Sequence, residues 1–195
     1  ELRTDLDRTG LADAIFSFAD KIENYDAALI YYAGHGFQVD GDNILAPIEL
    51  DIQARPELVK YNAFPLSELT ETKIVILDAC REIIGHRGAI KDFAPISAPQ
   101  GSVIAFATSP GQSSKENVWT GHGYYTEALL KYMSLPRVPI ETTFKKVREF
   151  LFAKTSGKQI PWEHTSLVGE FYFNPDTIYD GAAYSLEAYS DNRFR

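Results

Sequence analysis

The sequence predicts an α/β domain built on a mostly parallel central sheet, and three observations carry that prediction. Ala27-Ala-Leu-Ile-Tyr-Tyr32, Ile74-Val-Ile-Leu77 and Ser102-Val-Ile-Ala-Phe-Ala107 have the length and composition of strands buried on both faces. Stretches with helical spacing alternate with strand-like runs, which is the rhythm of an α/β fold. Two of the runs end in chemically capable residues, at the sheet edge where ligands collect in open α/β folds.

Composition sets the outer bounds. The chain has 195 residues, 45% of them hydrophobic, enough for one domain with a sizeable core. A charged fraction of 24% does not indicate disorder. The net charge of -8, without any Lys/Arg run, argues against a nucleic-acid partner. A single cysteine excludes an internal disulfide. No apolar stretch approaches membrane-spanning length and no signal-peptide pattern opens the chain, so a cytoplasmic protein without a membrane partner is expected.

Taken in order, Leu11, Ile15, Phe18 and Ile22 recur at helical spacing, predicting a helix over residues 10–23 with Thr9 as its N-cap. The run ending at Tyr32 leads into Ala33-Gly34-His35-Gly36. Asp40-Gly41, between Phe37-Gln-Val39 and Asn43-Ile-Leu45, predicts a tight hairpin. Residues 47–64 read as irregular, and residues 65–69 as a short helix before the strand that ends at Cys80. Residues 82–101 read as a long loop, a feature that is usually functional or flexible.

After the strand over residues 102–107 comes a polar loop over 108–123, then a helix over 124–133 ended by Pro136 and Pro139. Ile140, Phe144, Val147 and Leu151 mark another helix, closed by Gly157. Val168-Gly-Glu-Phe-Tyr-Phe173 is read as the last strand. No pattern organises residues 174–195.

The chemistry gathers at two strand ends. In one parallel sheet, His35 and Cys80 emerge on the same edge, where an imidazole can lower a thiol pKa or take up its proton. Glycines flanking His35 let a substrate backbone approach and leave the Gly36 N–H free to face a developing oxyanion. Each residue alone is unspecific, because an unpaired cysteine is more often a small core residue than a nucleophile. Asp40-Gly-Asp-Asn43 lacks EF-hand spacing and is better explained by the hairpin turn. No metal site, nucleotide loop or G-x-S-x-G elbow is found.

Together, Tyr31-Tyr-Ala-Gly-His-Gly36 and Ile76-Leu-Asp-Ala-Cys-Arg81 resemble the caspase-like cysteine proteases (peptidase C14), in particular their bacterial metacaspase and paracaspase-like branch. Cys80 follows His35 by 45 residues (35 to 80), against roughly 50 in caspases. Ile104-Ala-Phe-Ala-Thr-Ser-Pro-Gly111, Tyr125-Thr-Glu-Ala-Leu-Leu130 and Gln159-Ile-Pro-Trp162 extend the resemblance from Leu11 to Asn174.

The resemblance implies a three-layer sandwich and a thiol protease acting on protein or peptide substrates. In it His35 is general base and acid, Cys80 the nucleophile, and the N–H groups of Gly36 and Cys80 the oxyanion donors. Asp78 matches the acidic S1 position of the metacaspase and paracaspase branch, which favours cleavage after Arg or Lys by charge-assisted pairing. The alternative for Asp78 is a loop cap on backbone N–H groups. The resemblance calls for no resident cofactor and leaves calcium activation open. Residues 82–101 sit where the family joins its larger and smaller subunits, making Arg87 and Lys91 candidate self-cleavage points. An effector role in bacterial defence or cell-death signalling is implied on the same basis.

Two departures from the family pattern stand out. Ser113-Ser-Lys-Glu116 replaces the small-residue and aspartate pattern of the substrate-binding loop. The family fold also opens with a strand, a helix and a second strand, and nothing before Leu11 supplies the first, central strand. The expectation is therefore a caspase-like domain over residues 1–174 lacking its N-terminal strand-helix-strand, followed by an extension or linker over 175–195. An N-terminal fragment, or further parts of the same polypeptide, would then pair with an otherwise open sheet edge. A catalytically silent interaction or regulatory module is the alternative function, and a transpeptidase-like ligase on the same dyad is a third.

Overall fold

The computed structural model describes residues 1–23, 25–39, 41–51, 53–69, 72–83, 98–109, 116–117 and 122–175. In chain order the elements are α1 (Arg8–Ile22), β1 (Leu29–Val39), β2 (Asp42–Leu45), α2 (Pro56–Asn62), β3 (Phe64–Pro65), a 3-10 turn (Leu66–Leu69) and β4 (Ile74–Ile83). They continue with β5 (Val103–Phe106), β6 (Glu116–Asn117), β7 (His122–Gly123), α3 (Tyr124–Met133), α4 (Ile140–Lys154) and β8 (Trp162–Thr165). No helix among the described residues is long and apolar enough to cross a membrane.

Six strands form one sheet in the order β3-β2-β1-β4-β5-β8. β1, β4 and β5 run parallel at its centre, and antiparallel strands flank them on both sides. Side-chain alternation divides the apolar runs between two cores. Ile74, Ile76, Val103 and Ala105 face α3 and α4, joining Tyr125, Leu129, Ile140, Phe144, Val147 and Leu151. Val75, Leu77, Ile104 and Phe106 face the other way, with Ile15 of α1, Leu45 and Phe64. Uninterrupted apolar runs therefore arise because both faces of the central strands are covered, which yields three layers.

Several elements differ from the sequence reading. The N-cap of α1 is Asp7, whose carboxylate accepts the Gly10 N–H at 2.7 Å, so the helix starts two residues closer to the N-terminus than Thr9 implies. Residues 47–64 contain α2, opened by Pro56 at its first position and burying Val59 alone, too little apolar periodicity to see. The hairpin stands as expected, with Gln38 opposite Asn43 and Val39 opposite Asp42; Gly41 supplies the positive φ of 88°. The last strand is Trp162–Thr165 and not residues 168–173, where Val168 is 87% exposed and Tyr172 makes only an isolated bridge to Pro139. An edge strand spelled Trp-Glu-His-Thr carries little apolar alternation, so its pairing with β5 decides it.

One edge near the centre of the sheet is only partly covered. β1 pairs with β4 from Leu29 to Gln38, but with β2 only from Gly36 to Val39. Among the described residues no strand pairs with Leu29–Gly34 on that second side.

Candidate active site

The parallel pairing of β1 with β4 sets Tyr31 opposite Ile76, Ala33 opposite Asp78 and His35 opposite Cys80. Adjacent strands lie about 4.8 Å apart, so positions 35 and 80 are immediate neighbours although 45 residues (35 to 80) separate them. Both strands outrun their apolar segments, so this pair lies inside the ladder and not beyond its end. For Cys80 the backbone alone is described. Arg87, Lys91 and Ser113-Ser-Lys115 lie outside the described residues.

The ladder also fixes where the backbone donors point. The Ile74 N–H donates to the Ala28 carbonyl at 3.1 Å and the Ala46 N–H to the His35 carbonyl at 2.9 Å. Alternation then turns the backbone of Gly34 and Gly36 towards β4 and that of Cys80 towards β1. In this arrangement the N–H groups of Gly36 and Cys80 are within the ladder, whereas the sequence reading has the Gly36 N–H free.

His35 is held from behind and open in front. Its ring is exposed and stacks on Phe37, with centroids 6.2 Å apart and planes 12° from parallel. Its carbonyl also accepts the Tyr32 hydroxyl at 3.0 Å, and the same hydroxyl reaches the Ala46 carbonyl at 2.9 Å. The Tyr32 ring lies so close to Gly34 that a Cβ there would meet the hydroxyl oxygen at 2.6 Å and Cζ at 2.8 Å. Glycine is needed at position 34 for that approach. Burial pushes the Tyr32 phenol up to about 12, so it stays a neutral donor at ordinary pH.

Asp78 is half-buried, and its Oδ2 accepts the Thr126 hydroxyl from the first turn of α3. The Tyr31 hydroxyl lies 2.6 Å from Thr126 Oγ1 and 3.4 Å from Asp78 Oδ2. Burial first, and the Asp78 charge second, push the Tyr31 phenol well above its ordinary value. These Oδ2 contacts come from side-chain hydroxyls on β1 and α3.

Tyr31, Tyr32 and Thr126 are site residues that the sequence reading missed. Adjacent tyrosines before Gly-His-Gly were the available signal, because strand alternation must send one to each face. Gln159, fully buried, donates through Nε2 to the Ala107 carbonyl at 3.0 Å, and Ser109 Oγ donates to the Ile160 carbonyl at 2.9 Å. Together they fix the point where the chain leaves β5 for residues 108–123. His164 lies two strands from β4, opposite Ile104 on β8. Among the described residues no group of three His, Cys, Asp or Glu side chains is placed to hold a metal ion.

A three-layer α/β domain with histidine and cysteine as ladder partners on adjacent parallel strands, just past their apolar runs, defines a class, that of the caspase-like fold. Comparison with known families agrees: the caspase domain model (peptidase C14) matches residues 1–172, so this chain belongs to the caspase-domain family. At the family level this makes it a C14 peptidase domain, of a class that hydrolyses peptide bonds. The chain is also 26% identical, over 116 residues and 57% of its length, to the mucosa-associated lymphoid tissue lymphoma translocation protein 1 homolog of Mus musculus. It spans 14% of that protein's length.

Proposed function

We propose that this chain is a cysteine endopeptidase that cleaves after Arg or Lys, with Cys80 as nucleophile and His35 as general base and acid. The register that makes His35 and Cys80 direct partners carries this reading, in a chain of the caspase-domain family. His35 takes the thiol proton while sulfur bonds to the scissile carbonyl carbon and the carbonyl electron pair moves onto oxygen. Collapse of the adduct breaks the C–N bond, the imidazolium protonates the departing amine, and a thioester remains. His35 then deprotonates water, which attacks the thioester; sulfur leaves and recovers the proton from the imidazolium.

The oxyanion donors are the N–H groups of Gly36 and Cys80. Because the ladder holds both, the productive state requires β1 and β4 to part beyond Asp78. Asp78 pairs with the substrate's basic side chain. A lone thiol is kept reduced in the cytoplasm, which is the setting we propose. On the same reading, Arg87 and Lys91 are self-cleavage points, which an intact band after prolonged incubation of active protein would overturn. The open edge of β1 takes a further strand, supplied by another part of the polypeptide.

Fluorogenic peptides differing only in the residue before the cleavage point test the assignment. Turnover of arginyl and lysyl peptides is expected, abolished by Cys80→Ala, and preference for the aspartyl peptide would sink it. The closed ladder at Gly36 favours a second reading, a catalytically silent module. Covalent labelling by an arginyl activity-based probe, lost in Cys80→Ala, separates the two.

A further inference from the structure

Tyr31, Asp78 and Thr126 come from β1, β4 and α3 and meet at one carboxylate oxygen. An ionised carboxylate only accepts, so the Thr126 proton is committed to Asp78. Thr126 Oγ1 must then accept from Tyr31, whose hydroxyl is 2.6 Å away. Burial and the nearby negative charge keep Tyr31 protonated, as that donor role requires. Hydrogen bonds therefore run one way, from Tyr31 through Thr126 to Asp78, and chains of this kind reinforce each bond in them. Thr126 also sits in the first turn of α3, where the helix presents its positive end to the carboxylate. The N-cap there is Gly123, which makes no side-chain cap bond.

We propose that Thr126 and Tyr31 are positioning residues for substrate choice: they fix the plane of the Asp78 carboxylate and so favour arginine over lysine. This rests on Asp78 being the carboxylate that meets the substrate. A guanidinium is a rigid fork that gains a second, parallel hydrogen bond only when the carboxylate plane is set. An ammonium is a compact charge on a flexible stem and tolerates a carboxylate that turns. Loosening Asp78 therefore weakens arginine recognition more than lysine recognition. The chain also ties the pocket to α3, and so to the end of residues 108–123.

Binding of matched arginyl and lysyl peptides to the full chain carrying Cys80→Ala tests this without needing turnover. Thr126→Val is expected to weaken the arginyl peptide about tenfold, the scale of one hydrogen bond to a charged group, and the lysyl peptide far less. Tyr31→Phe is expected to shift the ratio in the same direction by less, and Thr126→Ser to restore it. Should Thr126→Val fail to fold, Tyr31→Phe and Thr126→Ser still read the ratio. Asp78→Asn separates the two levels of the argument. Retained preference for basic peptides in that variant, or no binding of either peptide to the parent, overturns the reading of Asp78 and the proposal with it. Loss of preference in Asp78→Asn, with an unchanged arginyl-to-lysyl ratio in Thr126→Val and Tyr31→Phe, overturns the positioning proposal alone.

Discussion

Tyr32 and Tyr31 are sequence neighbours with opposite assignments, because alternation along β1 sends one ring to each face of the sheet. Tyr32 stitches the backbone behind His35 to the chain leaving β2, through the carbonyls of His35 and Ala46. Tyr32→Phe removes both bonds, with an expected loss of about 1 kcal/mol in chemical denaturation. On the proposed function it acts through the His35 backbone and not on substrate, so kcat for a basic peptide should fall with KM unchanged. The phenol is pushed by burial from 10.0 to about 12, so between those values the folded protein keeps a proton that the unfolded chain releases. Its contribution is complete below about pH 10 and lost as pH rises towards the folded value. Stability measured along an alkaline series should accordingly fall less steeply for Tyr32→Phe than for the parent.

At the scale of elements, β1 depends on an absence at position 34. Gly34→Ala would place a methyl against the Tyr32 ring and hydroxyl. Forcing them apart is expected to cost ~1–3 kcal/mol. Pairing it with Tyr32→Ala, which removes the obstacle, should cost less than the sum of the single changes, as coupled neighbours do. In α4 the buried positions Ile140, Phe144, Val147 and Leu151 form the stripe legible in the sequence. Leu151→Ala should lower the denaturation midpoint by an amount equivalent to ~2–5 kcal/mol, through lost burial and the cavity left behind. That α3 and α4 were readable while α2 and β8 were not has one cause. The first pair present wide apolar stripes, whereas α2 buries only Val59 and β8 presents Glu163 and His164 at a sheet edge.

For the whole molecule, the defining feature is a central strand that, among the described residues, is paired along only part of one side. The Ala28 carbonyl faces β4 and the His35 carbonyl faces β2, so alternation places the N–H groups of Leu29, Tyr31 and Ala33 on the open edge. Those of Ile30, Tyr32 and Gly34 bond to β4. Amide exchange in this chain should therefore alternate along β1, fast at Leu29, Tyr31 and Ala33 and slow between them. In a longer polypeptide that supplies the proposed strand, protection at those three positions should rise to match their neighbours. Uniform protection in the present chain would count against an open edge.

The three parallel strands, helices α1, α3 and α4, the hairpin at Asp40-Gly41 and the position of His35 and Cys80 just past two apolar runs are legible in the sequence itself, because they follow from periodicities and turn chemistry spanning a few residues. Only tertiary structure decides that His35 registers with Cys80 and that both strands continue beyond them. It alone brings Thr126 to Asp78 and, across 95 residues of chain, to Tyr31. A local pattern fixes which face a side chain occupies. Its partner depends on how the sheet is ordered and on how α3 docks upon it, and no window of neighbouring residues encodes that.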